Sequence, residues 1–436
     1  RRPPGRTASP PRHLATPQVT NELGYSPSTD APLRWLVIED FNTVGLEGDP
    51  NVFQDPAPNA GRNDFFWFVR NVGRSNKKAG DRGRWGLGKI VYPASSTIRS
   101  FFAYTIRRSD QRRLLIGRSV LAVHTVNGQQ HDSEGYFGKF EDPNAQYFAT
   151  PEESPTVLDQ FKSEFELSRE NNEPGLSIVI PWPDDAITFR SLVASIIEHW
   201  FWVVLEGRLQ VVVSQDGCQD ITLTADNIET VVQGLQLPPP QTKDLLRKLE
   251  FSRASQELDL RSSDFFHLKL YSRESAPKWN EAEKLFTAEE ELQTARNAFQ
   301  AGKLIGFDVP VYVKRRDNTI DAEDSFEVYL QNTETGDPPI EVFLRDGLCI
   351  SGQKFLRDHG ILTVVKIEND ALGTLLGDAE NPAHTRWERS GKHFKDRYEH
   401  GASILSYVQR SALNLCALLS KRNEGLDRDI LQRFFY

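Results

Sequence analysis

Three short stretches carry residue types that could hold a nucleotide. The first is Asp40-Phe41-Asn42-Thr43-Val44-Gly45, directly after the apolar run LRWLVIE at 33–39. A carboxylate at a strand end can accept a hydrogen bond from the exocyclic amine of a base, a contact worth most in an apolar pocket. Gly45 lets the backbone come close to that base. The second is GRWGLGKI at 83–90, with Gly83, Gly86, Leu87, Gly88 and Lys89 opening a helix. Backbone amides at a helix start suit phosphate groups. The polar loop before it, GRSNKK at 73–78, adds Ser75 and Lys77. The third is Gly175-Leu176-Ser177-Ile178, a strand that begins with a glycine and would line the base pocket.

GRWGLGKI also fits the spacing of a phosphate loop, Gly-x-x-x-x-Gly-Lys. Such a loop needs a buried strand before its first glycine and a Ser or Thr hydroxyl after its lysine for magnesium. Here SNKKAGDR precedes Gly83 and Ile90 follows Lys89, so neither requirement is met.

The elements that must position these residues follow from apolar periodicity. Leu33–Glu39 predicts a strand, and FFWFVRNVG at 65–73 a short buried helix. The stretch after Lys89 predicts a helix and then a strand beyond Phe101. Strands are also expected at 113–126 and 175–183. The segment 189–207 predicts a long apolar helix and 208–215 a strand; Pro238-Pro239-Pro240 reads as a linker. An amphipathic helix is expected over 280–302, rich in good helix formers and stopped by Gly302. Strands follow at 307–315, 326–332, 340–351 and 361–368, and a helical tail from Arg386. Ile404, Val408, Leu415 and Leu419 fall near one face of that tail, as ordinary core or as a dimer seam.

A chain of 436 residues is too long for one ordinary core. With 38% hydrophobic and 26% charged residues it reads as a soluble globular protein. No membrane-length apolar run and no secretory leader appear. Cys218, Cys349 and Cys416 lie far apart, which argues for a reducing, cytoplasmic setting and against structural zinc. The chain contains no Met and opens at Arg1. A net charge of −9 disfavours attraction of nucleic acid to the chain as a whole. The pairs Arg107-Arg108 and Arg112-Arg113 could still touch phosphates locally, though such runs more often lie at a solvated strand end.

The order of the three stretches resembles the GHKL ATPases: DNA gyrase, the ninety-kilodalton heat-shock chaperone, sensor histidine kinases and MutL. Asp40–Gly45 looks like their first glycine box, Gly83–Lys89 like the second at the end of the ATP lid, and Gly175–Ile178 like the later Gly-Thr-x-Ile/Val strand. The resemblance covers residues 33–183. It implies an α+β protein. A Bergerat-type ATP-binding α/β sandwich, with a mixed sheet carrying helices on one face, would precede a strand-rich, transducer-like α/β domain and C-terminal helices. It implies ATP and magnesium as cofactors. Asp40 would read adenine, with Asn42, Gly45, Gly175 and Ser177 around the base, and Ser75, Lys77, Gly83, Gly86, Leu87, Gly88 and Lys89 at the phosphates. It also implies a lysine lent to the γ-phosphate by the second domain, for which Lys243 and Lys354 are candidates, although surface lysines are the commoner case. ATP-driven homodimerisation and an output on DNA or a client protein belong to the same resemblance, in a setting such as DNA repair or anti-phage defence.

The departures are specific. The turn Asp40-x-Asn42-x-x-Gly45 is one residue longer than Asp-x-Gly-x-Gly and has Asn42 at the first glycine. Leu176 stands where the family has threonine, with Ser177 beside it. The family's helix bearing a water-activating Glu and a magnesium-holding Asn has no counterpart in residues 1–32, where Asn21-Glu22 stands in the reverse order. The alternative function is therefore a non-hydrolysing GHKL-like scaffold for protein contacts. A sensor kinase fits less well, since no phospho-acceptor histidine helix appears.

The expected organisation is an N-terminal arm (1–32), an ATP-binding domain (33–188), a transducer-like domain (189–385) and a C-terminal helical segment (386–436). His384, among polar turn residues, reads as a turn-capping or turn-ordering residue with a catalytic role as the alternative, and it lacks zinc spacing to His393 or His400. Asp184-Asp185 lacks the partners of a nuclease core, and Trp85 reads as a packing residue in the lid.

Overall fold

The computed structural model describes residues 33–53, 62–70, 90–140, 149–333, 335–368, 370–391 and 394–421, together with Leu14, Thr16, Val19, Thr20 and Leu23. The described residues divide into two compact units, the first ending at Thr188 and the second beginning at Phe189.

The first unit contains β1 (Trp35–Glu39), β2 (Ser100–Ile106), β3 (Arg113–Val120), β4 (His124–Val126), β5 (Gln129–His131), β6 (Glu134–Phe137) and β7 (Gly175–Pro181). Five of these form one sheet in the order β1-β7-β2-β3-β6, while β4 and β5 pair separately. Asn127 and Gly128 turn that hairpin with φ of 51° and 77°, as a two-residue type I′ turn requires. Every pairing in the five-stranded sheet is antiparallel, so among the described residues the mixed sheet implied by the resemblance is not formed. A short turn joins β2 to β3, which only antiparallel neighbours allow. β7 runs opposite to both β1 and β2.

Helices cover both faces of this sheet rather than one. Leu36, Phe101, Ala103, Leu114, Ile116, Ile178 and Ile180 share one face with Phe65 and Val69 of α1 (Asp64–Val69) and with Tyr92 of α2 (Val91–Ala94). Trp35, Val37, Phe102, Tyr104, Leu115 and Val179 share the other with Leu158 and Phe161 of α3 (Pro155–Glu164). The central strands SFFAYTI and GLSIVIP are apolar on both sides, so both faces had to be closed against water.

The second unit holds a β8–β9 hairpin (Val211–Val213, Ile221–Leu223) and a six-stranded mixed sheet. That sheet comprises β10 (Phe265–His267), β11 (Ile305–Lys314), β12 (Asp321–Asn332), β13 (Ile340–Arg345), β14 (Leu348–Cys349) and β15 (Ile361–Ile367), in the order β10-β11-β12-β15-β13-β14. β10 with β11 and β13 with β15 run parallel; the other pairs are antiparallel. Val342, Leu344, Leu362 and Val364 pack under α4 (Phe189–Leu205), α5 (Ile228–Gly234) and α6 (Pro239–Glu257). Phe307, Val328, Phe343 and Val365 pack under α7 (Glu289–Gln300), α8 (Asp370–Ala379), α9 (Gly401–Gln409) and α10 (Ser411–Ser420). The protein is thus α+β. Among the described residues no helix is long and apolar enough to cross a membrane.

Three sequence expectations are corrected in this unit. The helix expected over 280–302 begins only at Glu289, after a separate 3-10 turn at Ala282–Leu285. The proline triplet is not a linker: Pro238 caps α6, and Pro239 and Pro240 occupy its first turn. Proline fits there because the first N–H groups of a helix have no intrahelical partner. The tail is not helical from Arg386, because turns and short bridges persist up to Gly401. Ile404, Val408, Leu415 and Leu419 are all buried in the core of their own unit, so that face is not a free seam.

Candidate functional site

The site is built from the end of β1 and the start of β7. Ladder pairing ends at Glu39 opposite Ser177. Asp40 then donates its N–H to the Leu176 carbonyl at 3.0 Å, while its carboxylate Oδ1 accepts the Leu176 N–H at 2.6 Å. The side chain thus replaces the main-chain acceptor, and the strand stops there. Thr43 Oγ1 adds a second donor to Oδ1 at 3.0 Å. Among the described residues Oδ2 has no hydrogen-bond partner, and the side chain is 50% exposed.

The turn that follows closes through two left-handed residues, Asn42 at φ 62° and Gly45 at φ 73°. Asparagine is among the few side chains that tolerate this region, so Asn42 supplies the conformation expected of a glycine. At Gly45 a side chain is excluded twice over. Its φ is positive, and a Cβ would lie 2.8 Å from Thr105 Oγ1 and overlap the Ile106 carbonyl oxygen. Gly45 therefore serves the closure of the turn onto β2. Thr105, buried on β2, locks that closure: its hydroxyl accepts the Leu46 N–H at 2.9 Å and donates to the Gly175 carbonyl at 2.8 Å.

Gly175 is the counterpart on β7. Its φ is 147°, and a Cβ there would lie 2.5 Å from the Asp40 carbonyl oxygen and 2.7 Å from Asp40 Oδ1. Sequence pattern pointed to Asp40 and Gly175 separately; tertiary structure puts them in contact.

Ser177 behaves differently from expectation. Strand alternation puts Leu176 on the α1 face with Asp40, and Ser177 on the α3 face with Glu39. The Ser177 hydroxyl is fully buried. It donates to Glu39 Oε1 at 2.6 Å and accepts from Arg169 Nε at 3.1 Å. It stands behind Asp40 and is already engaged.

Arg169 is the residue that sequence reasoning missed. It comes from the loop after α3 and is completely buried. All five of its N–H groups are used: Nε toward Ser177, Nη1 toward the Glu173 and Pro174 carbonyls at 3.3 and 3.0 Å, and Nη2 toward the Leu176 carbonyl at 3.0 Å and the Asp40 carbonyl. Nη2 also lies 3.6 Å from Asp40 Oδ1, and the guanidinium carbon sits 4.9 Å from the Phe41 ring centroid. Four of its five acceptors are backbone carbonyls, which carry no side-chain signature. Thr105 left a faint one, as a hydroxyl within a mostly apolar buried strand.

The α1 face beside Asp40 is apolar. Ile38, two residues back on the same face, is 47% exposed although isoleucine. Leu36, Leu176 and Tyr92 are partly buried along the same core. The Tyr92 phenol is pushed above its ordinary range by burial, with the Asp40 charge adding to the rise. Ile90 and Val91, where the described chain resumes, are also exposed. A half-exposed carboxylate with one free oxygen therefore stands two residues from exposed Ile38 on the same face of β1. That combination can hold a flat, partly polar group bearing an N–H donor.

Ser75, Lys77, Gly83, Gly86, Leu87, Gly88 and Lys89 lie outside the described residues, as do Trp85 and His393. In the second unit, Lys243 pairs with Asp337, while Lys354 is exposed. His384 does order a turn: its ring nitrogen lies 2.5 Å from Glu380 Oε2, and Glu380 also meets buried Arg345 and Trp387. Three of the four basic residues are paired, Arg107 with Glu47 and Asp110, Arg112 with Glu153 and Arg113 with Asp159, while exposed Arg108 donates to the Asn42 carbonyl at 3.2 Å. Among the described residues no three His, Cys, Asp or Glu side chains converge as a metal site. No protein-family model matches the chain, and no curated protein is significantly similar to it.

Proposed function

We propose that the first unit binds ATP at Asp40 and that the protein is a nucleotide-driven conformational switch of the GHKL type, with a Bergerat-like ATP site. The observation that carries this is the junction of Asp40 with Gly175: a carboxylate fixed by a backbone amide, with one oxygen free beside exposed Ile38, at the point where the two motifs meet. Asp40 Oδ2 fits the exocyclic amine of adenine, and the apolar surface fits the ring. Gly86, Gly88 and Lys89, with Ser75 and Lys77, would hold the phosphates and, through them, magnesium. ATP supplies the binding energy that drives the switch, and the second unit carries its output. The output falls on a client protein or DNA, by way of an ATP-driven homodimer, in a cytoplasmic setting such as DNA repair or anti-phage defence.

A second reading is a non-hydrolysing GHKL-like scaffold for protein contacts, and a base site weaker than the family's favours it. The row beside Asp40 has Leu176 where the family has threonine, and the nearby hydroxyls of Thr43, Ser177 and Thr105 are all engaged within the protein. Calorimetry with an ATP analogue and magnesium tests the site. Saturable binding is expected in the unaltered protein, weakened at least about tenfold by Asp40→Ala, the range for a lost hydrogen bond to a charged group. Equal affinities would refute the assignment of Asp40, and a turnover assay on ATP separates the switch from the scaffold.

A further inference from the structure

Arg169 is a buried cation behind the proposed base site. It lies on the opposite side of the sheet from the exposed apolar surface and has no solvent exposure through which a ligand could touch it. Its contacts are nevertheless concentrated on the two segments that make the site. Nη2 holds the carbonyls of Asp40 and Leu176, Nη1 holds those of Glu173 and Pro174 just before Gly175, and Nε holds Ser177. The loop bearing Arg169 is itself pinned to β1, since the Ser168 N–H donates to Glu39 Oε2 at 2.8 Å. Gly175 is the place where a side chain would overlap Arg169 Nη1, so the absence of a Cβ there is what admits the guanidinium.

We infer that Arg169 is the positioning residue of the Asp40 site: it sets the angle of the Asp40 main chain against β7 and so aims the free carboxylate oxygen at the base. This rests on the ATP-binding assignment above. The physical reason is geometric. The carboxylate is acceptor-only, and its Oδ1 is consumed by Leu176 and Thr43. The direction of Oδ2 therefore depends on the Asp40 backbone, whose carbonyl is held by Arg169 instead of by the sheet ladder. A lysine at 169 has at most three donors for the five acceptors and cannot span both segments.

The test uses the full chain and three probes with magnesium: an ATP analogue, adenosine, and inorganic triphosphate. Arg169→Lys is expected to weaken the ATP analogue and adenosine by the same factor, about ten- to a hundredfold, and to leave triphosphate unchanged. Ser177→Ala, a milder cut in the same network, should move the first two probes in the same direction. In an Asp40→Ala background, Arg169→Lys should have no further effect on adenosine. A merely structural arginine would weaken all three probes together, and that outcome overturns the inference, as does unchanged adenosine affinity in both variants. Should Arg169→Lys fail to fold, Ser177→Ala alone decides. Absence of ATP-analogue binding by the unaltered protein is a separate outcome, which refutes the ATP-binding assignment and the inference with it.

Discussion

Gly175→Ala puts the geometry of the β1–β7 junction to a quantitative test. Alanine at φ 147° sits in a region L side chains avoid, at a cost of about 1–3 kcal/mol. Its Cβ would also stand 2.5 Å from the Asp40 carbonyl oxygen and overlap a guanidinium that is wholly buried and cannot swing away. Relieving that overlap costs a further ~1–3 kcal/mol, as overpacking typically does. Gly128→Ala is the matched control, because Gly128 has φ 77° and an added Cβ would meet no atom within 4 Å. It carries backbone strain of about 1–2 kcal/mol alone. Hydrogen exchange on peptides spanning β1 and β7 reads the difference directly. A local loss of about 2 kcal/mol corresponds to roughly 30-fold faster exchange. Exchange in Gly175→Ala no faster than about threefold above the unaltered protein would mean that the close approach of Gly175 to Asp40 and Arg169 is not part of the native structure.

Two further predictions concern buried ionisable groups in the second unit. Burial pushes the Cys416 thiol up to about 12, so native protein at pH 8 should lose only Cys218, which is exposed, to an alkylating reagent, with Cys349 and Cys416 reacting once denaturant is added. Rapid native modification of Cys416 would contradict its place in the core. Glu341 is raised above 4.5 by burial, against the opposing pull of the Phe355 and Leu356 N–H groups. An acid raised on folding contributes stability below its unfolded value and loses it as pH climbs toward the folded one. The Tm of Glu341→Gln relative to the unaltered protein should therefore rise between pH 4 and pH 7, and a constant difference across that range would exclude the effect.

The sequence determined the elements and the residues at their ends. LRWLVIE, SFFAYTI and GLSIVIP are strands because their branched and aromatic side chains favour a pleated surface, and Asp40 and Gly175 fall at strand ends that local pattern already marks. Asn127-Gly128 and Asp346-Gly347 turn hairpins for the same local reason, each with two positive φ values. Only tertiary structure decided which strands became neighbours, and so that Asp40 meets Gly175 across 135 positions of chain. It also decided the facing of Ser177, which the sequence could not reveal: a strand buried on both sides has no polar alternation to set its register. Arg169 was invisible for a related reason. A guanidinium that binds backbone carbonyls depends on where the chain passes, and every residue type offers the same carbonyl to it.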